Sequence, residues 1–104
     1  MIIVITHDHS YIEAADDCTR LHVTADTLDD AEAGTALQSA GLGRQGEPAH
    51  VWLAVDALRT TARAAASIPD WDNRFDAMIA FARSRGWLDA SGEHVAAHIE
   101  RSGS

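Results

Sequence analysis

Residues 69–87 read PDWDNRFDAMIAFARSRGW and carry the strongest helical signal in the chain. Its apolar side chains recur at the three- and four-residue spacing of one helix face. They are Trp71, Phe75, Met78, Ile79 and Ala82. Asp70 or Asp72 can cap the first free N–H groups, and Gly86 suits the left-handed position after the last turn. The stretch therefore predicts a long helix that is buried along one side.

The segment after this helix, residues 93–100, alternates between apolar and polar residues and predicts the last strand. A short amphipathic helix is the alternative, and it would place His94 and His98 one turn apart, where they could share a metal ion. On a strand the two residues lie about 13 Å apart, given a rise of about 3.3 Å per residue. We favour the strand, so we predict no metal site from this pair.

Three strands and two helices are predicted before residue 69. Residues 1–6 and 20–24 are interpreted as an antiparallel hairpin with a turn centred on Ala15 and Asp16, and residues 50–55 as a third strand. One helix is expected from a cap at Thr27 to Gly41, and a second from a cap at Asp56 to the break before Pro69. Residues 42–48 are rich in glycine and predict a loop.

The resulting order, ββαβααβ, predicts an α+β fold in two layers. We expect a four-stranded, at least partly antiparallel sheet with three helices. Its 104 residues suffice for one core, so a single domain is expected over residues 1–101 with a flexible tail at 102–104.

Composition excludes several classes of function. The formal net charge is −8 and all eight basic residues are arginine, which argues against nucleic acid and anionic membranes as partners. No segment approaches the roughly 20 apolar residues that cross a bilayer. With the single Cys18, no intrachain disulfide is possible. We therefore expect a cytoplasmic protein, and we predict no cofactor and no metal site.

Histidine is the residue type that most suggests a site, because six occur in this short chain. In the predicted hairpin His9 faces His22, with Asp8 and Tyr11 close by, and facing imidazoles can move a proton or bind a metal. The catalytic candidates are thus His9, His22, Asp8 and Tyr11. The plainer interpretation is that these side chains are solvated on the outside of the sheet.

Arg59 and Arg63 lie one helical turn apart and form a candidate ligand or anion site, since guanidinium groups bind carboxylates and phosphates. The alternative is that they pair with aspartates of the same chain.

Three functional hypotheses follow. The leading one is a small non-catalytic binding or assembly module, expected to be a homodimer, that acts on a partner protein or a small ligand. The second is a cofactor-independent acid/base enzyme, an isomerase or hydrolase, that uses the His9 and His22 region. The third is a metal-binding protein that uses histidines. A concave apolar pocket of roughly 300 Å³ or more with His9 or His22 in its wall would favour the enzyme.

Overall fold

A computed structural model describes residues 1–6, 9–25 and 28–100. Within these ranges the chain forms three helices and six strands. The strands are β1 (Ile2–Ile5), β2 (Ser10–Glu13), β3 (His22–Thr24), β4 (Gly43–Gln45), β5 (His50–Ala54) and β6 (His94–Glu100), and the helices are α1 (Asp30–Ala40), α2 (Val55–Ala65) and α3 (Trp71–Ser84). The predicted α+β class and the three helices are confirmed. The expected tail, 102–104, lies outside the described residues.

The strands form one mixed sheet in the order β2-β1-β3-β6-β5-β4. Strand β3 is parallel to both of its neighbours, β1 and β6. The three other pairings are antiparallel. The prediction of four strands is therefore wrong, although the partly antiparallel character is confirmed.

The predicted hairpin between residues 1–6 and 20–24 is also wrong. Strand β1 instead pairs antiparallel with β2, with Ile3 opposite Ile12, and parallel with β3, with Ile3 beside Val23. The chain reverses earlier than expected, because the Thr6 amide donates to the His9 carbonyl at 2.9 Å. Residues 14–21 then carry the chain to the other side of β1.

Strand β4 lies where composition predicted only a loop. A Cβ atom on Gly43 would lie 2.1 Å from the Trp52 carbonyl oxygen, so only glycine permits this close approach to β5. The glycine that suggested a loop thus allows an edge strand to pair.

Helix α3 confirms the prediction from residues 69–87. All five residues of the predicted stripe are buried, and the Trp71 indole N–H donates to the Ala15 carbonyl at 2.6 Å.

Asp70 occupies the N-cap position of α3 but makes no side-chain cap bond. At the other end Gly86 adopts φ 76°, and the Trp87 amide donates to the Ala82 carbonyl at 2.9 Å. This is the predicted C-terminal arrangement.

The two shorter helices begin differently from the prediction. Asp29 is the N-cap of α1 and forms a capping box with Glu32; Thr27 lies outside the described residues. Helix α2 begins at Val55, so Asp56 lies in its first turn and is not the cap.

The two sides of the sheet differ in chemistry. The inward side belongs to the same hydrophobic cluster as the buried stripes of the helices. Its β5 and β6 members are Val51, Leu53, Val95, Ala97 and Ile99. The alternate residues of these strands point to the opposite side. That outer side carries the histidines of β3, β5 and β6.

Candidate functional site

The sheet order brings three histidines into one row on the outer side. His98 of β6 is paired with His22 of β3 on one flank and with His50 of β5 on the other. Neighbouring strands lie about 4.8 Å apart. Three residues that are distant in sequence therefore become adjacent.

The rings of His50 and His98 are in contact, and the register of β5 with β6 explains why. The Ile99 amide donates to the Ala49 carbonyl at 2.8 Å, so the Ala49–Ile99 pair is hydrogen bonded. In an antiparallel ladder the next pair, His50–His98, is then of the non-hydrogen-bonded kind, whose side chains approach most closely. The ring centroids are 5.3 Å apart and the rings meet edge to face.

A tight turn holds His50 in this position. The His50 amide donates to the Glu47 carbonyl at 2.8 Å, and the Ala49 amide donates to the Asp30 carboxylate at 2.9 Å. Ala49 adopts φ 66°, a left-handed conformation that a residue with a side chain rarely takes. The imidazole Nδ1 of His50 lies 3.0 Å from the Pro48 carbonyl oxygen. Both the backbone and the ring of His50 are therefore fixed.

A groove of about 600 Å³ adjoins this pair. The groove is lined by residues 19–21 before β3, by residues 46–47 after β4, by parts of β5 and β6, by the second half of α3 and by residues 86–87. Its large side chains include Trp52, Met78, Phe81 and Trp87, and its polar ones include His50, His98, Glu47 and Arg20. The groove therefore combines flat apolar walls with a few polar groups.

Two arginines contact the aromatic walls. The Arg85 guanidinium lies 5.6 Å from the Phe81 ring centroid and 5.7 Å from that of Trp87. The Arg44 guanidinium lies 5.8 Å from the Trp52 ring. The rings of Phe81 and Trp87 also meet edge to face at 5.8 Å. These cation–π and aromatic contacts hold the walls in place at an exposed surface.

The predicted catalytic residues are only partly brought together. His9 and Tyr11 are neighbours, with ring centroids 5.7 Å apart. The expected pairing of His9 with His22 is wrong, because β2 and β3 lie on opposite sides of β1. Asp8 lies outside the described residues. Neither His9 nor His22 lines the groove.

His22 has a different partner. Its Nε2 lies 3.4 Å from a Glu100 carboxylate oxygen, and its side chain is 15% exposed. The sequence analysis singled out His22, considered His98 only together with His94, and did not single out His50. They are neighbours because of the strand order β3-β6-β5, which is a long-range property that no local pattern encodes.

Arg59 and Arg63 bind carboxylates of α3. Arg59 forms ion pairs with Asp72 and Asp76, and the hydrogen bond to Asp76 raises the pKa of Arg59. The Arg63 Nε donates to Asp72 at 3.0 Å. The Arg59 guanidinium also lies 4.6 Å from the Phe75 ring. These contacts join α2 to α3, as the alternative interpretation expected.

Asp89 organises the turn that leads into β6. Its carboxylate accepts hydrogen bonds from the Ser91 hydroxyl at 2.9 Å and the His94 amide at 3.2 Å, and lies 2.9 Å from the His94 ring Nδ1. Desolvation acts to raise the pKa of Asp89, but the hydrogen bonds from Ser91 and His94 outweigh it and hold the pKa at about 2. The His94 ring therefore already has a hydrogen-bond partner in Asp89.

Two further groups bear on chemistry. Burial is the main cause that raises the pKa of the Cys18 thiol, and Asp17 adds to it against the opposing effect of the terminal ammonium. A thiolate nucleophile is therefore disfavoured. Within residues 1–6, 9–25 and 28–100, no group of three or more His, Cys, Asp or Glu side chains is arranged to hold a metal ion.

Comparison of the chain with models of protein families, with curated proteins and with solved structures found no match. In the part of the chain that the structure describes, no helix combines the length and apolar character needed to cross a bilayer.

Proposed function

We propose that this protein is a small-molecule-binding module that holds a flat, largely apolar ligand in the groove between α3, β5 and β6. The observation that carries the proposal is the groove itself. Its volume of about 600 Å³ falls within the roughly 300–1,000 Å³ typical of small-ligand sites. A single small molecule would fill such a volume.

The lining supports the same class of ligand. Trp52, Phe81 and Trp87 offer ring faces for stacking, and His50 and His98 offer imidazole nitrogens that fix orientation. Phe81 and Trp87 are 56% and 44% exposed, and a ligand would remove much of this apolar surface from water. The proposal thus explains why large aromatic side chains face solvent here.

The experiment is a thermal-shift and titration screen with flat aromatic fragments on the wild type and on Ala96→Phe. Ala96 lines the groove beside Trp52, so the larger side chain should block it. Ala80→Phe, at an exposed position of α3, is the matched control and should bind as the wild type does. Equal fragment binding by both variants would contradict the proposal.

Acid/base catalysis is a second candidate, and the His50–His98 pair favours it more than the His9 region does. An imidazole that lies at a groove wall can take a proton from a bound substrate. Turnover of a bound fragment that His98→Gln abolishes, with binding retained, would support an isomerase or hydrolase. Absence of turnover would favour the binding module over an enzyme.

We also propose that the protein forms a homodimer in the cytoplasm. Strands β2 and β4 are the edges of the sheet, and exposed edges invite pairing with another chain. A lone cysteine fits a reducing compartment, because the fold needs no disulfide.

A further inference from the structure

One of the two nitrogens of the His50 ring already has a hydrogen-bond partner. The Pro48 carbonyl oxygen, 3.0 Å from Nδ1, can only accept a hydrogen bond, so Nδ1 carries the proton of the neutral ring. The Nε2 atom then has a free lone pair. Metal-binding histidines characteristically donate their second nitrogen to a carbonyl or carboxylate in this way, which fixes both tautomer and ring orientation.

The His98 ring is available to share the same ion. In the described part of the chain its nitrogens have no hydrogen-bond partner, and its close neighbour is the His50 ring. His22, on its other flank, lies beside Glu100. The pair that can converge on one ion is therefore His50 with His98.

The spacing of the two rings matches shared coordination. An imidazole nitrogen lies about 2.0–2.1 Å from bound Zn²⁺, which places the centroids of two rings at a tetrahedral ion about 5.2 Å apart. The observed separation is 5.3 Å. Because the rings meet edge to face and Pro48 holds the His50 ring, the His98 ring must rotate to direct a nitrogen at the same ion, while the strands stay in their register.

We propose that His50 and His98 form a two-histidine site for a divalent first-row transition metal ion that favours imidazole, such as Zn²⁺. With two protein ligands, the remaining coordination positions face the groove and are taken by water or by a ligand there. The net charge of −8 favours the approach of a cation. This site does not rest on the proposed binding of an organic molecule.

The experiment is isothermal titration of the untagged protein with ZnCl₂ at neutral pH. The variants are His50→Thr and His98→Thr, since threonine suits a strand and both positions are exposed. His94→Thr is the control, because His94 lies on the same side of β6 but is bonded to Asp89. Melting curves recorded without metal establish that each variant is folded.

The wild type should bind one equivalent of Zn²⁺, and each of the two variants should bind at least about tenfold more weakly. His94→Thr should retain the wild-type affinity. In the wild type, NMR signals of the His50 and His98 rings should shift together. No binding by the wild type would overturn the proposal. So would full binding by His50→Thr or His98→Thr, which would place the ion elsewhere.

Discussion

Phe75 packs α3 against the rest of the protein. Its side chain is fully buried, stacks on Trp71 with centroids 5.0 Å apart and lies under the Arg59 guanidinium. Truncation would leave a cavity that its neighbours cannot fill. Phe75 therefore joins the hydrophobic core to the ion pairs between α2 and α3.

We expect Phe75→Ala to lower the free energy of unfolding by about 3–5 kcal/mol, which is much of the stability of a small domain. Asn73→Ala, on the exposed side of the same helix, should change it by less than about 0.5 kcal/mol. Urea denaturation of both variants checks this. Equal midpoints would show that the buried face of α3 has been assigned wrongly.

Asp89 gives a prediction for pH dependence. Its pKa is lowered from 3.8 to about 2 in the folded protein, so folding favours the charged carboxylate. The stability that Asp89 contributes is fully present above about pH 4 and disappears as the pH falls through about 2. Asp89→Asn should therefore be less stable than the wild type near pH 6, and the difference should shrink toward pH 2. Urea midpoints measured across that range test this, and a difference independent of pH would refute it.

Local sequence patterns predicted the helices and most of the strands, but they did not predict how the strands pair. The stripe in α3 and the alternation in β6 are each encoded within a few residues, and both are confirmed. Strands β1 and β3 pair in parallel because residues 14–21 carry the chain to the other side of β1. No periodicity in the sequence predicts that crossing. The same limit hid the candidate site. His50 and His98 are neighbours only because β5 and β6 pair, although the chain between them spans two helices.

The packing of α1 on β4 yields a prediction that runs against helix propensity. A Cβ atom on Gly34 would lie 2.5 Å from the Gln45 Cβ and 2.8 Å from its backbone nitrogen. Gly34→Ala should therefore destabilise the protein, although alanine is favoured over glycine in a helix by about 1 kcal/mol. Thr35→Ala, at the next and exposed position of α1, should be neutral or slightly stabilising. Thermal melting of the two variants decides this, since a higher melting temperature for Gly34→Ala would show that the contact is loose.

In the molecule as a whole, β2 and β4 form the edges of the sheet, and Phe81 and Trp87 form an exposed aromatic surface. We expect light scattering to report twice the monomer mass at micromolar concentration and above, because either feature can bury surface against a second copy. The monomer mass across a hundredfold range of concentration would contradict this.

We expect the groove to bind a small flat apolar molecule, and the three tryptophans allow a direct measurement of this. Trp52 and Trp87 line the groove, whereas Trp71 is buried and bonded to Ala15. Each indole N–H gives its own signal in a proton–nitrogen NMR spectrum, so a titration with aromatic fragments reports on all three positions at once. Fragments that bind should shift the Trp52 and Trp87 signals and leave the Trp71 signal in place. Fragments that shift no indole signal, or shift that of Trp71 as strongly as the others, would contradict it.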